Sequence, residues 1–147
     1  RRSRMQEHSC VADEGQLRLY HARLEEVGRL SEHVRALCQA AAVPPDTMID
    51  IELALAEAAN NIIIHGYRSR SDGMIGLAVH ISPGSVSLEL QDEGEAVPDG
   101  LFSKCRTISA EAESGRGVEI IQSCIDQIDY VSEGGKNRLL LTKRLPY

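Results

Sequence analysis

Aromatic residues make up only 3% of the 147-residue chain, with four Tyr, one Phe and no Trp, so any core built from it has to be aliphatic. No stretch approaches the roughly 18 consecutive apolar residues that a membrane-crossing helix needs. The opening Arg1-Arg2-Ser3-Arg4-Met5 leads into no hydrophobic run, so no secretory signal is expected. Positive charge is also scarce: 16 Lys and Arg stand against 22 Asp and Glu, for a net charge of −6. Apart from the opening cluster the basic residues are scattered, whereas binding to phosphate backbones requires clustered positive charge. Neither a direct nucleic-acid partner nor a membrane is expected. Cys10, Cys38, Cys105 and Cys124 lack C-x-x-C spacing, which points away from a zinc site or a thioredoxin-like pair. Free thiols in a reducing, cytoplasmic compartment are the plain reading.

What remains is one domain's worth of chain, long enough for a single core. Residues 1–15 are polar and without period, the pattern of a flexible leader or of added residues. A start at Arg1 rather than Met fits a domain cut from a longer chain. Residues 16–147 then form the domain. Gln16–Ala22 reads as a short strand in which Leu17 and Leu19 alternate with Arg18 and Tyr20. Val27, Leu30, Val34, Leu37 and Ala41 follow steps of three and four, the stripe of an amphipathic helix whose Glu25, Arg29, Glu32 and Arg35 face water. Pro44-Pro45 ends it. Asp46 is placed to cap a second helix over Thr47–His65, with Met48, Ile51, Leu55, Ala58 and Ile62 as its stripe and Gly66 as a left-handed terminator.

Two strict alternations follow, Ile75-Leu77-Val79-Ile81 and Val86-Leu88-Leu90, joined by Ser82-Pro83-Gly84-Ser85 as a hairpin. Residues 93–116 read as a long loop with one turn of helix at most, and loops of that length in compact domains are usually functional or disordered. Gly117–Ser123 has helical character, with Val118, Ile121 and Ile125 on one side. Gln127–Ser132 and Arg138–Lys143 then form a last hairpin. The order predicts a two-layer α/β sandwich, a mixed and largely antiparallel sheet covered on one face by helices.

Three segments carry chemistry. Glu57 and Asn61 stand four apart and therefore share a helix face with Ala54 and His65, distinct from the apolar stripe. Such a pair is either an incidental polar edge or a base beside a metal-binding oxygen, since Mg²⁺ takes hard oxygen ligands. Asp92-Glu93-Gly94 ends a strand, either as a plain turn or as a carboxylate able to read the donor edge of a base such as adenine. Ser114-Gly115-Arg116-Gly117 opens a helix, either as a hinge or as a phosphate site formed by unpaired N–H groups. It matches neither a Walker loop nor a Rossmann fingerprint.

Together these segments resemble the GHKL family of ATP-binding domains, the fold of gyrase and sensor histidine kinases. Glu52–Tyr67 (ELALAEAANNIIIHGY) resembles that family's N box, Asp92-Glu93-Gly94 its first glycine box and Ser114–Ile121 (SGRGVEII) its second. The pattern E-A-x-x-N-x-x-x-H-G-Y is similar to that of the bacterial anti-sigma factor serine kinases. The resemblance spans roughly residues 16–145 and implies a Bergerat-type ATP-binding fold with ATP and Mg²⁺ as cofactors.

It implies Glu57 as the catalytic base and Asn61 as the metal ligand. His65, Asp92, Gly94, Gly115, Arg116 and Gly117 would join Asn61 around the nucleotide, under a lid over residues 98–114. It further implies a serine or threonine of an anti-anti-sigma factor as substrate, a sigma factor as second partner, and a homodimer as an admissible assembly. Ala96 stands where many first boxes carry a second glycine, and Glu111 and Glu113 put negative charge beside the second box. Two alternatives accompany this reading: an ATP-binding anti-sigma or regulatory module with little kinase activity, and the catalytic domain of a sensor histidine kinase. The latter would require a phosphoacceptor such as His33, which lacks the following acidic residue and reads as an ordinary helix histidine.

Overall fold

The two alternating runs pair in a computed structural model that describes residues 15–70, 72–98, 101–102 and 113–146, with the backbone alone for residues 113–116. Strands β2 (Met74–Ser82) and β3 (Ser85–Asp92) form an antiparallel hairpin across Pro83-Gly84. Gly84 adopts φ 94°, which costs a glycine little and a side-chain-bearing residue much. Strand β1 (Arg18–His21) pairs with β2, β5 (Lys136–Arg144) with β3, and β4 (Gln127–Glu133) with β5. All four neighbouring pairs are antiparallel, which corrects the expected mixed sheet. Strand β4 runs in the direction of β3, but β5 folds back between them, so no parallel pair forms among the described residues.

Among the described residues three α-helices cover one face: α1 (Val27–Ala40), α2 (Pro45–Asn61) with a π-helical turn continuing it over Ile62–Gly66, and α3 (Glu113–Cys124). Among the described residues no helix is long and apolar enough to cross a membrane. The core between the layers is aliphatic, as the composition demands. Leu30, Ile51, Leu55 and Ile121 from the helices meet Ile75, Leu77, Leu88, Leu90 and Leu141 from the sheet, all fully buried. Each such side chain contributes about 1.5–3 kcal/mol relative to remaining exposed.

The structure corrects several boundaries and faces. In β1 the buried residue is Tyr20, while Leu17 and Leu19 are 45% and 64% exposed. Tyr20 pairs with Ile75, and that register turns the tyrosine towards the helices and the leucines to the open face. Cys38, not Ala41, completes the α1 stripe, because the helix stops at Ala40 and Ala42 turns left-handed at φ 60°. Burial pushes the Cys38 thiol up to about 11, so it remains a neutral apolar group. Cys38 and Cys124 are both free thiols; Cys10 and Cys105 lie outside the described residues.

Asp46 is not the cap of α2. Pro44 holds that position in extended conformation, Pro45 opens the helix, and Asp46 sits in the first turn, where its charge complements the helix dipole. Gly66 is not left-handed either; that conformation falls on Arg68 (φ 55°) and Ser69 (φ 60°). Helix α3 starts at Glu113, four residues before the expected start at Gly117. His33 lies on α1 with its Nδ1 3.3 Å from Arg18 Nη1 of β1. The expected leader, apart from Gly15, and most of the expected lid, including Lys104, Arg106 and Glu111, lie outside the described residues.

Candidate functional site: a cavity between the second helix and the end of the third strand

A cavity of about 400 Å³ opens where the end of α2 meets the segment after β3. Ala58, Asn61, Ile62, His65 and Gly66 line one side, Asp92 and Glu95–Pro98 the other, with Phe102, Tyr130 and Leu139 closing it. The local reason lies in Ile62–Gly66. There the chain widens into a π-helical turn, with the Tyr67 N–H donating to Ile62 O at 2.8 Å. Such turns often accompany functional sites. The buried Tyr67 ring then acts as a strut: its hydroxyl donates to Met74 O at 2.7 Å and accepts from Glu93 N–H at 2.8 Å. Burial raises its phenol pKa.

Asp92 forms the polar floor. It is 9% exposed, and burial raises its carboxyl pKa, partly offset by two hydrogen bonds. Those bonds, from Gly94 N–H and Asn137 Nδ2, are each 2.8 Å long and both fall on Oδ1. None among the described residues falls on Oδ2. Gly94 is required by contact rather than by φ: a β-carbon there would stand 2.5 Å from the carbonyl carbon and oxygen of Gly66. Glu95 N–H donates to Gly66 O at 2.7 Å, and Arg68 grips the Glu95 carboxylate at 2.8 and 3.0 Å on the exposed rim. The guanidinium holds that carboxyl below its usual range.

The second contact point lies between α2 and α3. Gly117 packs onto the polar face of α2, so that a β-carbon there would stand 2.9 Å from Glu57 Oε1 and 3.5 Å from Asn61 Oδ1. The expected base, the expected metal ligand and the second glycine segment thus meet. Asn61 also lines the cavity that Asp92 floors, and so links the two clusters.

Residues 20–143 match the histidine kinase-like ATPase domain family. The chain belongs to that family.

Relatives of this ATPase domain include the anti-sigma F factor of Geobacillus stearothermophilus, 30% identical over 102 residues that make up 67% of this chain and 70% of that protein. The anti-sigma F factor of Clostridium botulinum (strain Eklund 17B / Type B) is 31% identical over 102 residues, 67% of this chain and 71% of the other. Among solved structures, the RsbU and RsbW domains of Rv1364c from Mycobacterium tuberculosis share the fold at TM-score 0.60 and 17% identity, over 88% of this chain. This chain spans about a third of that one, 32%. The catalytic domain of histidine kinase ThkA is similar at TM-score 0.56 and 14% identity, over 88% of this chain and 96% of that one.

Within the ATPase domain, the expected site residues divide by position. Asn61, His65 and Asp92 line the cavity, Gly94 supports it, and Glu57 and Gly117 stand together beside it, outside its lining. Gly115 and Arg116 fall in the first turn of α3, and their surroundings lie outside the described residues, as does the Glu113 side chain. Sequence reasoning missed Asn137, Tyr67 and Tyr130. The Tyr130 hydroxyl accepts from Val97 N–H at 3.0 Å, and its ring meets Phe102 with centroids 5.7 Å apart. Asn137 falls between the two strands expected from the sequence; only the register that sets it opposite Asp92 reveals it.

Proposed function

We propose that this ATPase domain is a cytoplasmic, ATP- and Mg²⁺-dependent serine/threonine kinase of a partner-switching system. In this reading it phosphorylates an anti-anti-sigma factor and sequesters a sigma factor. The observation that carries the proposal is the packing of Gly117 on Glu57 and Asn61, which sets a carboxylate against α3 one turn in from its start. A domain that only held nucleotide would need no base there, which favours transfer over mere binding. The names of the anti-sigma F relatives point to the same system.

The residues fit the cofactor. The cavity is largely apolar, as a nucleobase requires, and Asp92 offers the unengaged Oδ2 to an exocyclic amine. Gly115 lies in the first turn of α3, where backbone N–H groups have no partner within the helix and anions are favoured, and Arg116 and Gly117 follow it. Asn61 would supply one hard oxygen to Mg²⁺. Among the described residues no three His, Cys, Asp or Glu gather into a metal group, and Mg²⁺ commonly takes one or two protein oxygens with phosphate and water completing its shell. His65 would border the nucleotide from the cavity wall. Bound ATP would supply the phosphoryl group and Mg²⁺ would neutralise its charge. The protein's part is positioning: Glu57 orients the acceptor hydroxyl and takes up its proton, while the glycine segment holds the phosphates.

The test is incubation with ATP, Mg²⁺ and an anti-anti-sigma protein, followed by intact-mass measurement. A gain of one phosphate on the partner supports the kinase. Stable nucleotide binding that leaves the partner unmodified selects the binding-module reading instead.

A further inference from the structure

Asn137 is 3% exposed and spends its whole side chain on the floor of the cavity. Its Nδ2 donates to Asp92 Oδ1 at 2.8 Å and to Gly94 O at 2.9 Å, and its Oδ1 accepts from Ser132 Oγ at 2.6 Å. Ser132 therefore orients the amide, with oxygen towards β4 and nitrogen towards Asp92. The two N–H groups then do different work. One joins Gly94 N–H on Asp92 Oδ1, so that a single carboxylate oxygen is doubly engaged and its twin is not. The other pins the Gly94 carbonyl, which keeps that turn, and so the Gly94 N–H, in place against Gly66. A carboxylate on one Cβ would otherwise rotate and present either oxygen.

We infer that Asn137 is a positioning residue for the nucleobase: it fixes Asp92 through Oδ1, leaving Oδ2 as the acceptor that selects a purine bearing an exocyclic amine. This rests on the reading of the cavity as a nucleotide site. Beside Ala58, Ile62 and Leu139 a hydrogen bond to that oxygen is shielded from water, which strengthens it. A base presenting a carbonyl at the same place would face a fixed anion and be rejected.

The experiment compares the affinities of ATP and of purine riboside triphosphate, which lacks the amine, for the wild-type chain, Asn137→Ala, Asn137→Ser and Ser132→Ala. The wild type is expected to prefer ATP by about tenfold or more, the scale of one hydrogen bond to a charged group. In Asn137→Ala the preference should shrink to about threefold or less while affinity for the analogue stays nearly unchanged, and Asn137→Ser, which keeps one donor, should recover part of it. Should Asn137→Ala not fold, the exposed Ser132→Ala, which removes only the bond that orients the amide, carries the same expectation in weaker form. A preference for ATP that survives intact in the variants, or equal losses for both nucleotides, overturns the inference alone. A wild-type chain that binds neither nucleotide overturns the reading of the site and the inference with it.

Discussion

Gly117 approaches Glu57 so closely that a β-carbon at position 117 would stand 2.9 Å from the carboxylate oxygen Oε1. The obstructing atom is the end of a flexible side chain, so the protein can accommodate a methyl group by moving Glu57. Alanine in place of a helical glycine also gains about 0.5–1 kcal/mol in backbone entropy. Gly117→Ala should therefore fold with an unchanged or slightly higher melting temperature and lose at least tenfold in phosphoryl transfer, because the base has been displaced. Thermal melting beside a transfer assay checks this. A variant with normal transfer would show that the place of Glu57 does not matter.

Gly94→Ala should behave in the opposite way. Its β-carbon would stand 2.5 Å from the Gly66 backbone, where no side chain can move aside. Overpacking of this kind costs about 1–3 kcal/mol, which for a domain of this size lowers the melting temperature by roughly 3–10 °C. Nucleotide affinity should fall too, since the Gly94 N–H is one of two donors to Asp92. An unaltered melting curve would contradict the close packing described for these two glycines.

Asp92 links stability and binding with opposite signs. Burial raises its carboxyl pKa above the ordinary value, so the folded chain binds this proton more tightly than the unfolded chain. Through this group, stability falls as pH rises through the raised pKa and is regained on acidification. Nucleotide binding runs the other way, because protonation removes the anionic acceptor. Asp92→Asn preserves an Oδ1 for Asn137 and Gly94; it should keep or raise the melting temperature at neutral pH and weaken ATP binding about 10–100-fold. Acidification should weaken ATP binding more steeply in the wild type than in the variant. Parallel pH profiles would count against Asp92 as the acceptor.

Asn61→Ala should weaken nucleotide binding about tenfold when Mg²⁺ is present and hardly at all with a chelator. Asn61 is half-buried at the cavity wall, so its loss should leave the fold intact. Calorimetric titration with and without the metal checks this. Equal losses under both conditions would assign Asn61 to the nucleotide rather than to the metal.

The local parts of this structure were legible in the sequence, and the long-range parts were not. Alternation marked β2 and β3, and the three-and-four steps of Leu30–Val34 and Ile51–Leu55–Ala58 marked the buried faces, because those periods are properties of neighbouring residues. Glu57 and Asn61 stood out by helical spacing, and Gly117 through its motif. Nothing local distinguishes the π-helical turn at Ile62–Gly66 from plain helix. The same holds for Asn137: its burial follows from pairing with Asp92, 45 residues away, and strand register at that distance is a tertiary property. In β1, the alternation of Leu17 and Leu19 with Arg18 and Tyr20 marked a strand without marking its buried face, which pairing with β2 decides.

In the proposed reaction Glu57 acts on the acceptor hydroxyl, and Glu57→Gln isolates that role because the substitution keeps shape and removes the base. Wild type and variant would be incubated side by side with ATP, Mg²⁺ and an anti-anti-sigma protein, with nucleotide binding and the partner's intact mass both measured. ATP affinity should be unchanged between the two chains, with one phosphate gained by the partner with the wild type and none with the variant. Phosphate reaching the partner at an equal rate from both chains would contradict that role for Glu57.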